Sequence, residues 1–363
     1  MSVNGGPTEQ AHDRYLAQRH FGSLDGLRCL SIVPVIWHHS TPYPLPGILG
    51  KGPAGVDLFF CISGFLITTL LLREKARTGR IALGAFYSRR ALRILPLYYA
   101  MLLAYALFAL WMPVTLPQRA HFFRTLPLYA SFTANWFADF GVAHPILFSF
   151  AWSLCIEEQF YAFWPWIVRW CSARSALLVM CALIIVDWSA ERSGLPGYAG
   201  RIITSFAAPI GFGALLALML GERFAFDALF RVLGKVWSAP LALASVIVLL
   251  LWPAAPLFLF QSSLAVLVGS CVVREHHGLS WFLQLRALSD VGAVSYGLYL
   301  LNSTAVGVTR RLFPANAASS GFVFLASLPL CLALAALSHR YLEAPFLRLR
   351  ERFRAPANPA QMR

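Results

Sequence analysis

The sequence LDGLRCLSIVPVIWHHS, Leu24 to Ser40, decides how this chain is organised, because it places an arginine and a histidine inside an otherwise apolar segment. Arg28 and His39 are eleven positions apart, which in an α-helix is about three turns plus roughly 20°. The two side chains are therefore predicted on nearly one face, about 16 Å apart along the axis. Ionisable groups are costly in hydrocarbon and usually face a polar interior. This face is predicted to line a polar cavity.

The composition is typical of a protein that crosses a membrane many times. Of the 363 residues, 58% are hydrophobic and 13% are charged, far from the balance of soluble globular proteins. A net charge of +14 would raise the question of nucleic-acid binding in a soluble chain. Here the basic residues mostly lie between apolar segments, where they orient helices and contact anionic headgroups. We therefore expect membrane lipids, and no nucleic acid, as partners.

Ten apolar segments can be drawn as membrane-spanning helices, each of which needs roughly 20 residues. The sequence thus predicts an all-α polytopic membrane protein with about ten transmembrane helices. The segments are 23–41, 54–72, 89–112, 146–169, 175–190, 202–220, 236–252, 256–273, 290–309 and 320–341.

Basic residues between these segments predict the orientation, because cytoplasmic connections are rich in Lys and Arg. The first connection holds only Lys51. Both termini are predicted in the cytoplasm, with a cytoplasmic N-terminal segment at 1–20, a transmembrane domain at 21–346 and a basic tail at 347–363. The second connection, which this orientation places inside, holds Arg73, Lys75, Arg77, Arg80, Arg89 and Arg90.

The longest outer connection, 113–145, contains the stretch HFFRTLPLYASFTANWFADF, which is too aromatic for a simple solvated loop. Aromatic residues concentrate where a membrane meets water. We expect this stretch to lie at the membrane surface as a re-entrant or interfacial segment.

Seven cysteines lie within or at the edges of the apolar segments, and no pair has the spacing of a zinc site. They are interpreted as small core residues. The sequence predicts no metal ion and no disulfide framework.

The segment GVDLFFCISGFLI, Gly55 to Ile67, places a carboxylate near the start of the second span. Two roles are open for Asp57. It orients a catalytic imidazole, as a carboxylate does in serine hydrolases, or it is a helix N-terminal carboxylate that the backbone dipole stabilises. Ser63 and Gly64 are interpreted as small residues that allow close helix contact.

The segment FYSRRALRILPLYY, Phe86 to Tyr99, carries three arginines at the cytoplasmic end of the third span. Arg90 and Arg93 are three residues apart and share a helix face, so they form a clamp suited to phosphates or a carboxylate. The alternative, above all for Arg89, is anchoring at the membrane surface.

The segment AWSLCIEEQFYAFWPW, Ala151 to Trp166, is the second apolar stretch with ionisable groups. Glu157 lies four residues after Ser153 and four before Tyr161, so these three form one stripe on a helix. The adjacent Glu158 points elsewhere. A structural ion pair between Glu157 and an arginine is the alternative to a role in the cavity.

Taken in order, these motifs resemble the successive signatures of the acyltransferase-3 family of membrane acyltransferases. The resemblance implies an enzyme of the bacterial cytoplasmic (inner) membrane that transfers an acyl group, commonly acetyl from acetyl-CoA. The acceptor it implies is a sugar hydroxyl of an exopolysaccharide, a lipopolysaccharide or another glycan, or of a lipid-linked oligosaccharide. Some members carry an additional hydrolase-like domain that these motifs do not include, so we expect the membrane domain or a separate protein to complete the transfer. The motifs are LDGLR with a histidine after ten intervening residues, GVDLFFxxSGFLI, RRxLRIxPxYY, WSLxIEEQFYxxWP, SYxLYLxx and RYxExPF.

The resemblance also implies roles for single residues. His39 is expected to be the catalytic base with Arg28 as its partner. Asn302 and Ser303 stand where many members have a histidine and a nearby proline, which indicates a different acceptor pocket. The expected catalytic group is His39, Arg28, Asp57 and Glu157. The residues expected to bind acyl-CoA are Arg28, Arg90 and Arg93, and those expected to bind the acceptor are Ser153, Tyr161 and Asn302.

A mechanism follows in which the CoA phosphates meet Arg90 and Arg93 and the pantetheine arm passes Arg28. His39 then takes the proton from an acceptor hydroxyl, a role that suits a group titrating near neutrality. The first helix would form one wall of a donor channel with the base at its far end. Direct transfer is favoured, since the chain shows no evident activated serine or cysteine.

Other functions remain open from the sequence. Buried Arg, His and Glu also mark substrate pathways, so a transporter of lipid-linked sugars or small metabolites is the non-enzymatic alternative. Succinyl or longer acyl donors, a macrolide acceptor, and a shuttle that passes acetyl to a partner esterase are further alternatives. The oligomeric state is also open, a homo-oligomer included.

Overall fold

The computed structural model describes residues 7–42, 45–111, 115–138, 148, 150–206 and 208–353. In these ranges the chain is mainly helical and contains no β-strand, which confirms the predicted all-α class. The α-helices of the described ranges are α1 (Pro7–Ala17), α2 (Gly22–Ser40), α3 (Ala54–Thr78), α4 (Leu83–Trp111), α5 (Leu116–Ala130), α6 (Ala134–Phe137), α7 (Ala151–Trp170), α8 (Ala173–Ser193), α9 (Gly197–Ile203), α10 (Ala208–Gly221), α11 (Arg223–Leu233), α12 (Ser238–Leu251), α13 (Leu257–Val273), α14 (Ser280–Leu283), α15 (Arg286–Ala293), α16 (Ser295–Leu312), α17 (Ser320–Leu337) and α18 (Ala344–Arg350).

The helices confirm a multi-pass architecture but not the count of ten spans. Two bent pairs each qualify as one broken span, α11 with α12 at 78° and α15 with α16 at 75°, which gives up to seven spans in the described ranges. Five helical runs there are long and apolar enough to cross a membrane on their own: Ala54–Thr78, Leu83–Trp111, Ala173–Ser193, Gly197–Gly221 and Ser320–Phe353.

Two predicted spans, α2 and α7, are long enough but are not among these runs. Each carries polar side chains that lower its mean hydropathy, among them Asp25, Arg28 and His39 in α2 and Glu157 in α7. Both helices are also largely buried along their length. The same residues that indicate a polar cavity therefore make these two helices poor candidates by hydropathy.

Helix α3 lies at the centre of the fold and packs against α2, α7, α10 and α13. Its contact with α10 is unusually close, because Gly64 faces the carbonyl oxygen of Ile210 and Gly213 faces that of Cys61. A Cβ atom on either glycine would lie 2.0 Å from that oxygen. The interpretation of Gly64 as a residue that allows close helix contact is confirmed.

The outward side of the protein is strongly apolar. Large aliphatic side chains such as Leu103, Leu178, Leu241 and Leu325 are each 60% or more exposed. Apolar surface on this scale is matched to lipid rather than to water.

The aromatic connection at 113–145 folds as helices where the structure describes it, at 115–138. Tyr98 and Tyr99 of α4 each donate a hydrogen bond of 2.8 Å to the carbonyl oxygens of Tyr129 and Ala130 at the end of α5. These contacts attach the segment to α4, and its location at a membrane surface stays a prediction. The rest of that connection, residues 1–6 and the tail beyond Phe353 lie outside the described residues.

Candidate functional site

Helix α2 presents the predicted polar face to the protein interior. It packs against α3, α15, α16 and α17, and its Arg28 and His39 meet different neighbours. Between them, Ser31, Ile32 and Val35 line a small internal pocket. Among the described residues that line this pocket neither Arg28 nor His39 occurs, so a cavity shared by both stays a prediction.

Three arginines converge at the Arg28 end of this face. The guanidinium of Arg28 donates to Asp25 on the preceding turn, with Nη1 3.1 Å from Oδ1. Arg93 of α4 lies close enough to repel both Arg28 and Arg90 electrostatically. The three residues that the sequence assigned to an acyl-CoA donor are thus brought together.

A buried hydrogen-bonded cluster joins α3 and α7 beside these arginines. Both Ser63 and Tyr161 donate to Oε1 of Glu157, and their two hydroxyl oxygens lie 2.6 Å apart. Glu157 is 7% exposed and Tyr161 is 4% exposed. The predicted stripe of Glu157 and Tyr161 is confirmed. Ser63 also belongs to the cluster, although the sequence placed it among packing residues, and its hydroxyl in an apolar run was the signal.

Arg90 completes this cluster without forming an ion pair. Its guanidinium carbon lies 5.5 Å from the ring centroid of Tyr161 and 5.8 Å from that of Phe86. Cations are attracted to aromatic faces, more strongly when they are removed from water. Within the described residues Glu157 forms no salt bridge, and hydroxyl groups satisfy its carboxylate instead of an arginine.

At the other end of the face, His39 is held by α16. Its Nδ1 lies 2.5 Å from Oδ1 of Asn302, which is 0% exposed. Asp57 occupies no such position: it makes no hydrogen bond or ion pair with His39 in the part of the chain that is described, and it lies near Glu191 of α8. The partner of the imidazole is therefore Asn302, which the sequence had assigned to the acceptor.

Ser153 links α7 to α16. Its hydroxyl lies 2.5 Å from the hydroxyl of Tyr299 and donates to the carbonyl oxygen of Phe150 at 3.1 Å. Ser153 is thus one turn from Glu157 on the predicted stripe, but its hydroxyl bonds to a neighbouring helix. Its assignment to acceptor binding stays a prediction.

The pocket between the two ends of the face is small. Its volume is ≈ 20 Å³, about the space for one water molecule. An acyl group on a pantetheine arm is much larger than this. The space beside α2 at this pocket is thus too small for the acyl arm, and the donor channel along α2 stays a prediction. The side chains around the pocket include Ser31, Val35, Ser153, Glu157, Tyr296 and Tyr299.

A much larger cavity, of ≈ 680 Å³, lies beyond Arg90 at the ends of α3 and α4. Glu74 is its one acidic lining residue among those described, and it is paired with Arg89 at 3.0 Å. From the sequence, most of these basic residues are predicted to set the orientation of the chain in the membrane. Their common cavity was not predicted. Its arginines are Arg19, Arg73, Arg77, Arg89, Arg90 and Arg350.

Metal ligation has no visible basis in the described ranges, where no group of three or more His, Cys, Asp or Glu side chains could hold an ion. The chemistry of the site is that of arginines, hydroxyl groups, a carboxylate and an imidazole.

Comparison with known proteins gives a family and relatives. Residues 21–338 match the sequence model of an acyltransferase domain, that of the acyltransferase-3 family. The peptidoglycan O-acetyltransferase OatA of Listeria monocytogenes is 26% identical over 356 residues, which cover 91% of this chain and 56% of that protein. A Bacillus subtilis protein named "Putative peptidoglycan O-acetyltransferase YrhL" is 28% identical over 360 residues, covering 90% of this chain and 55% of its own length. The chain thus spans somewhat more than half the length of these relatives. No solved structure matches.

Proposed function

Since the chain belongs to the acyltransferase-3 family, we propose that it transfers an acetyl group from acetyl-CoA to a hydroxyl group of a glycan in the bacterial cytoplasmic membrane. The observation that carries the proposal is the common face of α2, which has His39 at one end and a group of arginines at the other. The relatives are named for peptidoglycan, which favours a cell-wall glycan or its lipid-linked precursor among the acceptors.

In this proposal His39 acts as the general base. Nδ1 is engaged by Asn302, whereas Nε2 has no hydrogen-bond partner among the described residues. Nε2 takes the proton of the acceptor hydroxyl as its oxygen attacks the thioester carbon. The C–S bond breaks, the acetyl group passes to the oxygen, and the proton moves on to the departing CoA thiolate. No covalent acyl-enzyme is required.

The arginine cavity is proposed to hold the phosphates of the donor. Arginine binds phosphate with paired hydrogen bonds, and several arginines around one cavity create a strong positive potential. Arg90 lines this cavity and also touches Tyr161 of the buried cluster, so it connects the two. The acyl arm would then extend from Arg90 past Arg28 toward His39, which requires the ≈ 20 Å³ pocket to widen.

The membrane arrangement belongs to the same proposal. We place both termini and the arginine cavity on the cytoplasmic side, where acetyl-CoA is made, and count α2 and α7 as spans shielded by other helices. Added to the seven spans that include the bent pairs, and with the shorter apolar helix α13 as a further span, this gives ten spans, with 1–20 and 347–363 as cytoplasmic ends around the domain at 21–346.

The test uses purified protein in lipid nanodiscs with radiolabelled acetyl-CoA and lipid-linked cell-wall precursor. The wild type is expected to transfer label to the glycan without a second protein. His39→Ala is expected to lose this transfer, whereas His38→Ala, its exposed neighbour on α2, keeps it. Succinyl-CoA in place of acetyl-CoA tests the alternative donor.

Several results would contradict the proposal. Transport of the precursor without labelling would identify a transporter. Label that reaches the glycan only when a partner esterase is added would identify a shuttle. Unchanged transfer by His39→Ala would contradict the role of His39 as the general base.

A further inference from the structure

We propose that Asn302 is a positioning residue that holds the imidazole of His39 in the tautomer with hydrogen on Nδ1, so that Nε2 carries the free lone pair. The inference rests on the proposed role of His39 as the base, and it supplies the reason why that role falls to Nε2.

The orientation of the Asn302 amide is fixed by its other end. Its Nδ2 donates to the carbonyl oxygen of Tyr299 at 2.5 Å and to that of Leu298 at 3.3 Å. An amide nitrogen only donates and a carbonyl oxygen only accepts. A flipped amide would place Oδ1 against two backbone oxygens in a fully buried position, where unpaired polar groups are costly.

This orientation decides the state of the histidine. Because Oδ1 of Asn302 faces the ring and accepts only, Nδ1 of His39 must carry the hydrogen that bridges the 2.5 Å contact. In a neutral imidazole the other nitrogen then has no hydrogen. The ring is prepared to accept a proton at Nε2, as the base in acyl transfer must.

The charged groups around His39 do not supply another partner. His38 is its neighbour on α2, with ring centroids 5.7 Å apart. Arg310 of α16 donates to the carbonyl oxygen of Ser40 at 3.2 Å, and Asp57 of α3 makes no contact with the ring in the described chain. Helices α13, α14 and α17 contain no charged residue. Helix α15 meets Asp25, at the far end of α2, through Gly292, and its two charged residues, Arg286 and Asp290, are exposed and paired with each other.

An amide in this position differs from a carboxylate in one respect. Both accept the hydrogen of Nδ1, but a carboxylate also stabilises the charged imidazolium. An asparagine whose orientation is not fixed could instead offer its NH₂ group and select the wrong tautomer. Here the two backbone carbonyls of α16 prevent that, which is why a neutral side chain can serve.

The test is ¹⁵N NMR of the full chain in nanodiscs with labelled histidine, where the ring nitrogens report which one is protonated. The His39 signals are identified by their loss in His39→Gln. We expect Nδ1–H in the wild type. In Asn302→Leu, which keeps a side chain branched at the γ-carbon but removes the acceptor, we expect the Nδ1–H signature to disappear and kcat to fall about 100-fold with little change in KM for acetyl-CoA. Val308→Ala, further along α16 at an exposed position, is expected to change neither.

The outcomes separate this inference from the proposed function. Nε2–H or a charged ring at neutral pH in the wild type would overturn it. So would Asn302→Leu with Nδ1–H retained. A tautomer that changes as expected in Asn302→Leu, with acetyl transfer at the wild-type rate, would support the positioning by Asn302 and contradict the role of His39 as base.

Discussion

His39 is partly buried and His277 is fully buried, and both contact helix α2 or belong to it. They differ in how many of their ring nitrogens form hydrogen bonds. His277, in the connection between α13 and α14, uses both: Nδ1 accepts from the backbone N–H of Leu279 at 3.2 Å, and Nε2 donates to Ser23 at the start of α2 at 2.9 Å. His39, near the end of α2, uses only Nδ1 in its hydrogen bonds with the described residues. A ring with both nitrogens engaged holds structure together, while a ring with one free nitrogen can transfer a proton.

Equivalent substitutions at the two histidines test whether one is catalytic and the other structural, and they have the largest expected effect. His39→Gln is expected to lower kcat by about 10²–10⁴-fold, the usual contribution of a general base, with unchanged thermal stability. His277→Gln is expected to leave the rate per folded molecule unchanged and to lower the melting temperature, because Ser23 and Leu279 lose their partner. Acetyl transfer and melting temperature are measured for both variants. The reverse pattern would contradict the distinction.

Two arginines of the large cavity differ in the same way, since one is held by hydrogen bonds and the other is not. Substitutions at them are expected to have smaller effects. Arg73 donates to the carbonyl oxygens of Tyr15 and Gln18 at the end of α1, at 2.8 and 2.5 Å, whereas Arg90 makes no hydrogen bond within the described chain. We expect Arg90→Ala to raise KM for acetyl-CoA about 10-fold or more, since a hydrogen bond to a charged group contributes about 1.5–3 kcal/mol.

Arg73→Ala is the matched control, and it is expected to lower the melting temperature more than it changes KM. Steady-state kinetics and thermal melts of both variants are the measurements. Equal changes in KM would contradict the distinction between Arg73, which is engaged in backbone hydrogen bonds, and Arg90, which is not.

The smallest expected effect is the pH dependence of stability that His277 confers. Burial, together with the nearby His276, lowers the pKa of His277 from 6.5 to about 4. The folded state therefore favours the neutral ring, and this contribution is fully present above pH 6.5 and is lost as the pH falls toward about 4. Melting temperatures of the wild type and His277→Gln between pH 7 and 4.5 are expected to converge. A constant gap would contradict a neutral, buried His277.

The sequence predicted the helical class and the face of α2 because both depend on local periodicity. Arg28 and His39 needed only the 3.6-residue turn, and Glu157 with Tyr161 needed only a spacing of four. These features are properties of single helices. The structure confirms the helix that carries Arg28 and His39 and the contact of Glu157 with Tyr161, while a cavity shared by Arg28 and His39 stays a prediction.

Contacts between distant segments were harder to predict. Asn302 and His39 are separated by 263 positions, and nothing in the spacing of either motif distinguishes Asn302 from Asp57 as the partner. The arginines of the large cavity come from the connection between α1 and α2 and from α3, α4 and α18, so their convergence appears only in the packed chain. The same holds for the burial of His277, whose loop sequence gives no sign of it.

The most direct test of the account is an electron cryo-microscopy structure of the protein with acetyl-CoA and the inactive His39→Gln side chain. We expect the donor phosphates among the arginines of the ≈ 680 Å³ cavity, a widened passage between Arg28 and position 39, and the thioester within reach of that position. Donor phosphates bound away from these arginines, or a thioester far from position 39, would contradict it.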